Sequence, residues 1–233
     1  MVNNWSIIIQ NYLFPPTCIL CGHPGQSEKD LCLYCESGLI RATECCYRCG
    51  ALFEETSTAP MLCGACLNKT PYFDETHAVF VYTGAIRYLL TSLKFGGQLK
   101  HARLIGQLMA EQFLTIAEIP ECLIPVPLHS ERYRERGFNQ AIEIAKTLAK
   151  SMDIPVDLYS IIRQRNTGHQ TELSAKQRKK NMLNAFAVKK KLPFNHVAIV
   201  DDVMTTGTTV SELAKALKKS GVHRVDVWVC ARA

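Results

Sequence analysis

Val197-Ala-Ile-Val-Asp201-Asp202-Val-Met-Thr205-Thr206-Gly207-Thr208-Thr209-Val210 is the stretch that decides the fold and nominates a binding site. Val197–Val200 is an apolar run of the length a buried strand needs, bounded by polar residues rather than continued at helical spacing. It delivers two adjacent carboxylates, then a small hydroxyl-rich turn with one glycine. A helix follows over Thr208–Lys219, with Val210, Leu213, Ala214 and Leu217 on one side. Backbone N–H groups of Thr205–Thr209, converging at a helix N-terminus, form an anion nest to which threonine hydroxyls add donors. One phosphate fits there. The two carboxylates would repel a second phosphate, but they accept hydrogen bonds from vicinal hydroxyls or hold Mg²⁺ through water. A phosphate beside a diol describes a ribose 5-phosphate. An ordinary strand–turn–helix with one aspartate as N-cap explains one aspartate and one threonine, not two and four. The other phosphate devices, G-x-x-x-x-G-K-[ST] and G-x-G-x-x-G, occur nowhere in the chain.

The surrounding pattern fits this reading. Strands are expected at His77–Tyr82, Cys122–Val126 and Val225–Cys230. Helices are expected at Gly84–Phe95, at Leu99–Leu114 with Ile105, Leu108, Met109 and Phe113 inward, and at Phe138–Met152. Strands alternating with amphipathic helices imply an α/β fold, a mostly parallel sheet with helices on its faces. Such sheets bind ligands at the carboxyl ends of their strands.

Upstream the chemistry changes. Nine of the eleven cysteines lie between positions 18 and 66, eight of them in four C-x-x-C pairs: Cys18/Cys21, Cys32/Cys35, Cys46/Cys49 and Cys63/Cys66. Two such pairs complete the tetrahedral thiolate set that zinc prefers, with no position left for water or substrate, so these zinc ions are structural. Sequential and interleaved wiring are both compatible with the spacing, and the surplus Cys45 could replace Cys46 as a ligand. A disulfide framework belongs to oxidising compartments, and the first residues show neither a basic start nor a cleavage site. A cytoplasmic protein without a transmembrane segment is the expectation, since no apolar run approaches the ~20 residues of a membrane span. Residues 1–70 carry net −2 and the remainder +8. Two domains are expected, 1–70 and 71–233.

Two segments need separate reading. Trp5, Ile8, Ile9, Tyr12 and Leu13 share one face of a helix that Pro15-Pro16 ends. It docks on its own protein, or is presented to a partner or a membrane surface, and the missing basic residues count against the membrane. Residues 161–191 hold nine basic side chains against Glu172 alone. Three readings compete for them. One is a solvated cationic face. Another is a mobile loop over Arg163–Arg178 that closes on a phosphorylated ligand, with a short helix opened by Ser174–Gln177. The third is contact with single-stranded DNA through Lys179, Lys180, Lys189, Lys190 and Lys191, which would track a phosphate backbone as point charges.

Asp201–Thr209 resembles the 5-phosphoribosyl-1-diphosphate (PRPP) signature of type I phosphoribosyltransferases. The whole chain resembles the ComF/ComFC family of competence proteins. The resemblance rests also on Leu93-Lys-Phe-Gly96, Ile124–His129, Arg136-Gly-Phe-Asn-Gln140, Gln170–Ser174 and the paired ribbons. It implies a type I phosphoribosyltransferase-like sheet behind a double zinc ribbon, Mg²⁺ with PRPP as ligand, and a role in natural transformation. PRPP would be held by Asp201, Asp202, Val203, Met204, Thr205, Thr206, Gly207, Thr208 and Thr209. Pro127, Leu128 and His129 would lie where pyrophosphate is gripped, with Arg132 and Arg136 just beyond. If the fold is catalytic, Asp201 and Asp202 are the catalytic pair and a nitrogenous base is the acceptor. If it is not, PRPP is a signal and the ribbons meet a DNA-uptake or helicase-like partner.

Overall fold

The computed structural model describes residues 15–54, 61–115, 118–164 and 183–233. Short helices α1 (Leu33–Ser37) and α2 (Gly64–Asn68) belong to the cysteine-rich front. The body runs β1 (Glu75–Val81), α3 (Gly84–Gly96), α4 (Leu99–Phe113), β2 (Cys122–Pro125), α5 (Ser130–Arg136) and α6 (Gln140–Met152). It continues with β3 (Ile161–Arg163), β4 (Phe186–Val188), β5 (His196–Met204), α7 (Thr208–Lys219) and β6 (Arg224–Arg232).

Four strands form a parallel sheet in the order β1-β6-β5-β2. β5 and β6 are buried along most of their length, with apolar centres, because helices cover both faces, as a parallel sheet requires. Helices α3, α4 and α6 pack on one face around Leu89, Leu93, Ile105, Leu108 and Leu148. Helix α7 and the antiparallel β3–β4 hairpin close the other around Val210, Leu213, Leu217 and Phe186.

The strand at 197–200 extends further than its apolar run suggests. It spans His196–Met204, with Asp201 opposite Val229 and Met204 opposite Arg232. The acids therefore sit within the strand's final turn-ward residues and not beyond it. Helix α6 starts at Gln140, two residues later than the periodicity indicates, because Asn139 caps it: Ala141 N donates to Asn139 Oδ1 at 2.9 Å. The amphipathic segment before Pro15 and the stretch carrying Lys176, Arg178, Lys179 and Lys180 lie outside the described residues.

The cysteine-rich front is fastened to the body at several points. Segment 40–42 runs along β1, with Val81 N donating to Ile40 O at 2.9 Å and Ala42 N donating to Val79 O at 3.1 Å. This caps a sheet edge that would otherwise offer unpaired backbone groups. Lys29 pairs with Glu36 at 2.9 Å and with Glu111 of α4 at 3.0 Å. Among the described residues no helix is long and apolar enough to cross a membrane.

Helices α4 and α6 approach closely at Gly106. A Cβ there would lie 2.6 Å from Thr147 Cβ and 3.0 Å from Ile144 O. Gly106→Ala should therefore force the two helices apart and cost about 1–3 kcal/mol of stability, read from the urea midpoint. An unchanged midpoint would mean the helices slide freely.

Candidate functional site

The carboxyl ends of β2 and β5 are adjacent, and the two loops that leave them face the same space. After β5 comes the Thr205–Gly207 turn. Thr205 and Thr206 are exposed, while Gly207 is buried with φ +71°. A Cβ on Gly207 would meet Met204 Cε at 2.6 Å, with Phe73 at 3.7 Å, so only glycine lets the turn lie on this buried floor. Gly207 is the N-cap of α7 and has no side chain to cap it; Thr206 Oγ1 accepts from Thr208 N at 3.4 Å, and the amides after it are left for an external acceptor. The Thr206 and Thr208 hydroxyls lie 2.9 Å apart, converging on that same turn.

Asp202 is buried at 3% exposure, and Asp201 is half-buried. Lys94, in the last turn of α3, reaches Asp202 Oδ2 at 2.5 Å. Burial opposes the lysine's charge, yet the nearby Asp202 and Asp201 carboxylates raise its pKa above the ordinary lysine value. Asp201 Oδ1 accepts from Asp202 N at 2.9 Å. Burial, and then the neighbouring Asp202 charge, push the Asp201 carboxyl up to about 8, with Lys94 pulling the other way. At neutral pH the doublet thus holds a proton that a cation or a pair of hydroxyl donors can displace.

The loop after β2 carries Pro127, Leu128 and His129, all half-buried. His129 caps α5, its Nδ1 accepting from Glu131 N at 3.4 Å, which is a structural use of the ring. Arg136-Gly-Phe-Asn-Gln140 is a hinge between α5 and α6. Gly137 ends α5 at φ +78° and Asn139 opens α6. Asn139 Nδ2 also donates to Val126 O at 3.0 Å, tying the hinge to the loop after β2. Arg136 Nη1 donates to Gln140 Oε1 at 2.6 Å and its guanidinium stands 5.9 Å from the Phe95 ring. Burial lowers the Arg136 pKa, Asp202 opposes that shift, and Arg132 adds to it. Arg163 is likewise lowered by burial, then by Arg132, with Asp201 opposing. Arg134 is exposed.

Four cations, Lys94, Arg132, Arg136 and Arg163, therefore share a neighbourhood with Asp201 and Asp202, and Glu135 also acts on Arg136. The surplus positive charge suits a polyanion, and guanidinium forks match phosphate oxygens bidentately. Lys94 escaped assignment from the sequence. Its signal is the i, i+4 row Ile86–Leu90–Lys94, in which a lysine continues a buried stripe. Lys189, Lys190 and Lys191 are exposed directly after β4.

The eight paired cysteines gather into two sets, Cys18/Cys21/Cys32/Cys35 and Cys46/Cys49/Cys63/Cys66, each with its sulfurs within 4.8 Å of one another. This is the sequential wiring. Sulfur separations of 3.7 Å (Cys21–Cys32) and 3.5 Å (Cys49–Cys63) approach the ~3.8 Å expected of two thiolates ~2.3 Å from one tetrahedral zinc. Against burial, backbone N–H donors hold Cys18 down to about 6 and Cys46 down to about 7. Burial and neighbouring thiols push Cys35 to about 12 and Cys49 to about 11. Four thiols so placed cannot all ionise alone, and a dication removes that conflict. The two clusters suit two structural zinc ions. Cys45 stays outside both, its Sγ directed at Ala42 O at 3.9 Å.

A double zinc ribbon domain family matches residues 9–67 and a phosphoribosyl transferase domain family matches residues 139–233. The architecture is thus a zinc-ribbon pair joined to a phosphoribosyltransferase-like sheet. The chain is 34% identical to competence protein F of Haemophilus influenzae over 229 residues, covering 93% of this chain and 96% of that one. It is 34% identical to the DNA utilization protein YhgH of Salmonella typhimurium over 224 residues, 94% and 97% of the two chains. The competence protein ComFC of Bacillus subtilis is 25% identical over 209 residues, 83% and 80%. The chain belongs to the ComF/ComFC family of competence proteins. Among solved structures, a glutamine PRPP amidotransferase from B. subtilis matches with a TM-score of 0.37 at 21% identity, over 55% of this chain and 25% of that one.

The wiring makes the cysteines separable. Cys46→Ser is expected to reduce bound zinc from two ions per chain to one, measured by atomic absorption. Cys45→Ser is expected to keep both.

Proposed function

We propose that this protein handles single-stranded DNA in the cytoplasm during DNA uptake and use, and that its phosphoribosyltransferase-like body keeps a Mg-PRPP pocket. The observation that carries the pocket is the carboxylate doublet at the end of β5, neutralised by Lys94 and followed by a helix whose N-cap is a glycine with no capping side chain. In this reading the Thr205–Thr209 amides and hydroxyls take the 5-phosphate. Asp201 and Asp202 accept hydrogen bonds from the ribose hydroxyls, with Val203 and Met204 as their strand support. Because Lys94 already occupies Asp202, a magnesium ion is held through water and by the ligand's own phosphates. Pro127, Leu128 and His129 line the pyrophosphate side, where Arg132, Arg136 and Arg163 supply the charge. DNA contact falls to Lys189, Lys190 and Lys191, together with Lys179 and Lys180. The competence and DNA-utilization names of the relatives support a DNA role in general. The division at residue 70 gives the ribbons a separate task, docking a DNA-uptake or helicase-like protein, which their net negative charge suits better than DNA does.

A second reading is favoured by the cationic surplus around the doublet: catalytic transfer of ribose 5-phosphate to a nitrogenous acceptor. The departing Mg-pyrophosphate would be stabilised by the arginines, and the protein's work would be positioning and electrostatics. Pyrophosphate release across a panel of purines, pyrimidines and amines decides for it.

Calorimetry tests the pocket. PRPP with Mg²⁺ should bind with a Kd on the order of micromolar, and Asp201→Ala/Asp202→Ala should abolish binding while circular dichroism is unchanged. Binding should release a proton near neutral pH, because Asp201 titrates at about 8 when free and its charged form is the one that ligand hydroxyls or Mg²⁺ favour. The heat will then vary with buffer ionisation enthalpy. Wild-type affinity in the double variant refutes the pocket.

DNA contact is tested by salt. Replacing Lys179, Lys180, Lys189, Lys190 and Lys191 by glutamine should flatten the slope of log K against log salt for an oligonucleotide by about 3 to 4. An unchanged slope would assign the DNA to another face.

A further inference from the structure

The two ribbons meet the body differently. The first is held by apolar packing, with Cys18, Leu31 and Leu39 in the core of the body, and by polar contacts to α4, the Lys29–Glu111 pair and a 2.9 Å bond from Gln107 Nε2 to Glu28 O. In the second, the metal knuckle itself is bonded to the body. Thr76 N donates to Tyr47 O at 3.0 Å and Thr76 Oγ1 donates to Arg48 O at 2.8 Å. Arg232 Nε donates to Cys49 O at 3.2 Å. Three consecutive carbonyls between and at the metal-binding cysteines are thus all taken by the body.

Two of these contacts continue to the phosphate turn. Arg232 Nη1 donates to Met204 O at 3.0 Å, and Ala233 N donates to the same oxygen at 3.1 Å. Met204 is the last residue of β5, and its side chain fills the space beside Gly207. Arg48 Nη1 donates to Phe73 O at 3.2 Å, and Phe73 is the other wall under Gly207. The knuckle and the turn therefore rest on the same few groups, and Arg232 spans both with one guanidinium. The fit leaves no slack: a Cβ on Gly50 would stand 3.1 Å from Thr76 Cγ2 and 3.6 Å from Arg232 Cδ.

We propose that Arg232 is a positioning residue that couples metal at Cys46, Cys49, Cys63 and Cys66 to anion binding at Thr205–Thr209, while the first ribbon takes no part. This rests on the sugar-phosphate reading of the turn. The knuckle keeps its carbonyls in place only while its cysteines share a cation. When the cation leaves, Arg232 loses an acceptor, and the brace on Met204 O loosens. Coupling of this kind is reciprocal, so a ligand that orders the turn also retains the metal of the second cluster.

The full zinc-loaded chain is exposed to a chelator and an alkylating agent, with and without PRPP and Mg²⁺, and each cysteine's modification is timed by peptide mass spectrometry. PRPP should slow modification of Cys46, Cys49, Cys63 and Cys66 about fivefold or more and leave Cys18, Cys21, Cys32 and Cys35 unaltered. Arg232→Gln should bind PRPP more weakly and show no cluster-specific protection. Arg232→Lys, whose ammonium reaches one carbonyl but not both, should also lose it and guards against a glutamine variant that fails to fold. Equal protection of both clusters would mean global stabilisation and overturn the proposal. So would PRPP binding, seen by calorimetry, with neither cluster protected; the pocket would then survive alone. Absence of PRPP binding would sink the pocket first and the coupling with it.

Discussion

A carboxylate buried as deeply as Asp202 must be neutralised or protonated, because desolvating an unpaired charge costs several kcal/mol. Lys94 meets that demand from the last turn of α3, and the pairing dictates much of the local arrangement. It brings the end of α3 over the carboxyl edge of the sheet. It lets the adjacent Asp201 be the group that yields, retaining its proton to about pH 8. With Arg132, Arg136 and Arg163 close by, the edge carries more positive than negative charge even with both acids ionised. A neutral sugar alone would leave that excess unsatisfied, whereas a sugar bearing several phosphates would satisfy it.

The front of the chain solves a different problem. Around the first cysteine cluster Leu31 and Leu39 are buried, but Leu33, Tyr34 and Ile40 are exposed. Leu31 and Leu39 both belong to the core of the body, so the segment has little apolar interior of its own, and four thiolates around a dication supply the local order. Metal sites of this type hold a knuckle rigid to within its own bond lengths. That rigidity gives the body a fixed surface to bond to, which a short loop would not.

The sheet was legible because its central strands are apolar runs on both faces, Val197–Val200 throughout and Val225–Cys230 with Asp226 as its one exception, and the helices keep i, i+3, i+4 spacing. The acids and the Thr-Gly turn were legible for the opposite reason, since nothing in core packing calls for them. The β3–β4 hairpin was not readable, because three-residue strands carry no period and their partners lie more than twenty positions apart. Lys94 was hidden by ambiguity, as one lysine at the end of a helix usually means solvent. Arg232 was hidden more thoroughly. Its partners are backbone carbonyls of Cys49 and Met204, and carbonyls leave no mark on a sequence. Helix α5 was missed because seven residues with Ser130, Glu131, Arg132, Arg134, Glu135 and Arg136 offer no buried face.

The placement of charge bears on how the two proposed ligands, PRPP and DNA, would relate. Arg132, Arg136 and Arg163 sit within electrostatic reach of the acids, whereas Lys189, Lys190 and Lys191 follow β4 as exposed side chains. A DNA strand drawn into the arginines would compete with pyrophosphate oxygens for the same donors, and each ligand would weaken the other. A strand held by the lysines alone would leave those donors free, and PRPP would then alter DNA affinity only through long-range charge, an effect that fades beyond ~10 Å at 0.1 M salt. Competition that persists at high salt thus points to shared arginines, and competition that vanishes with salt points to the lysines.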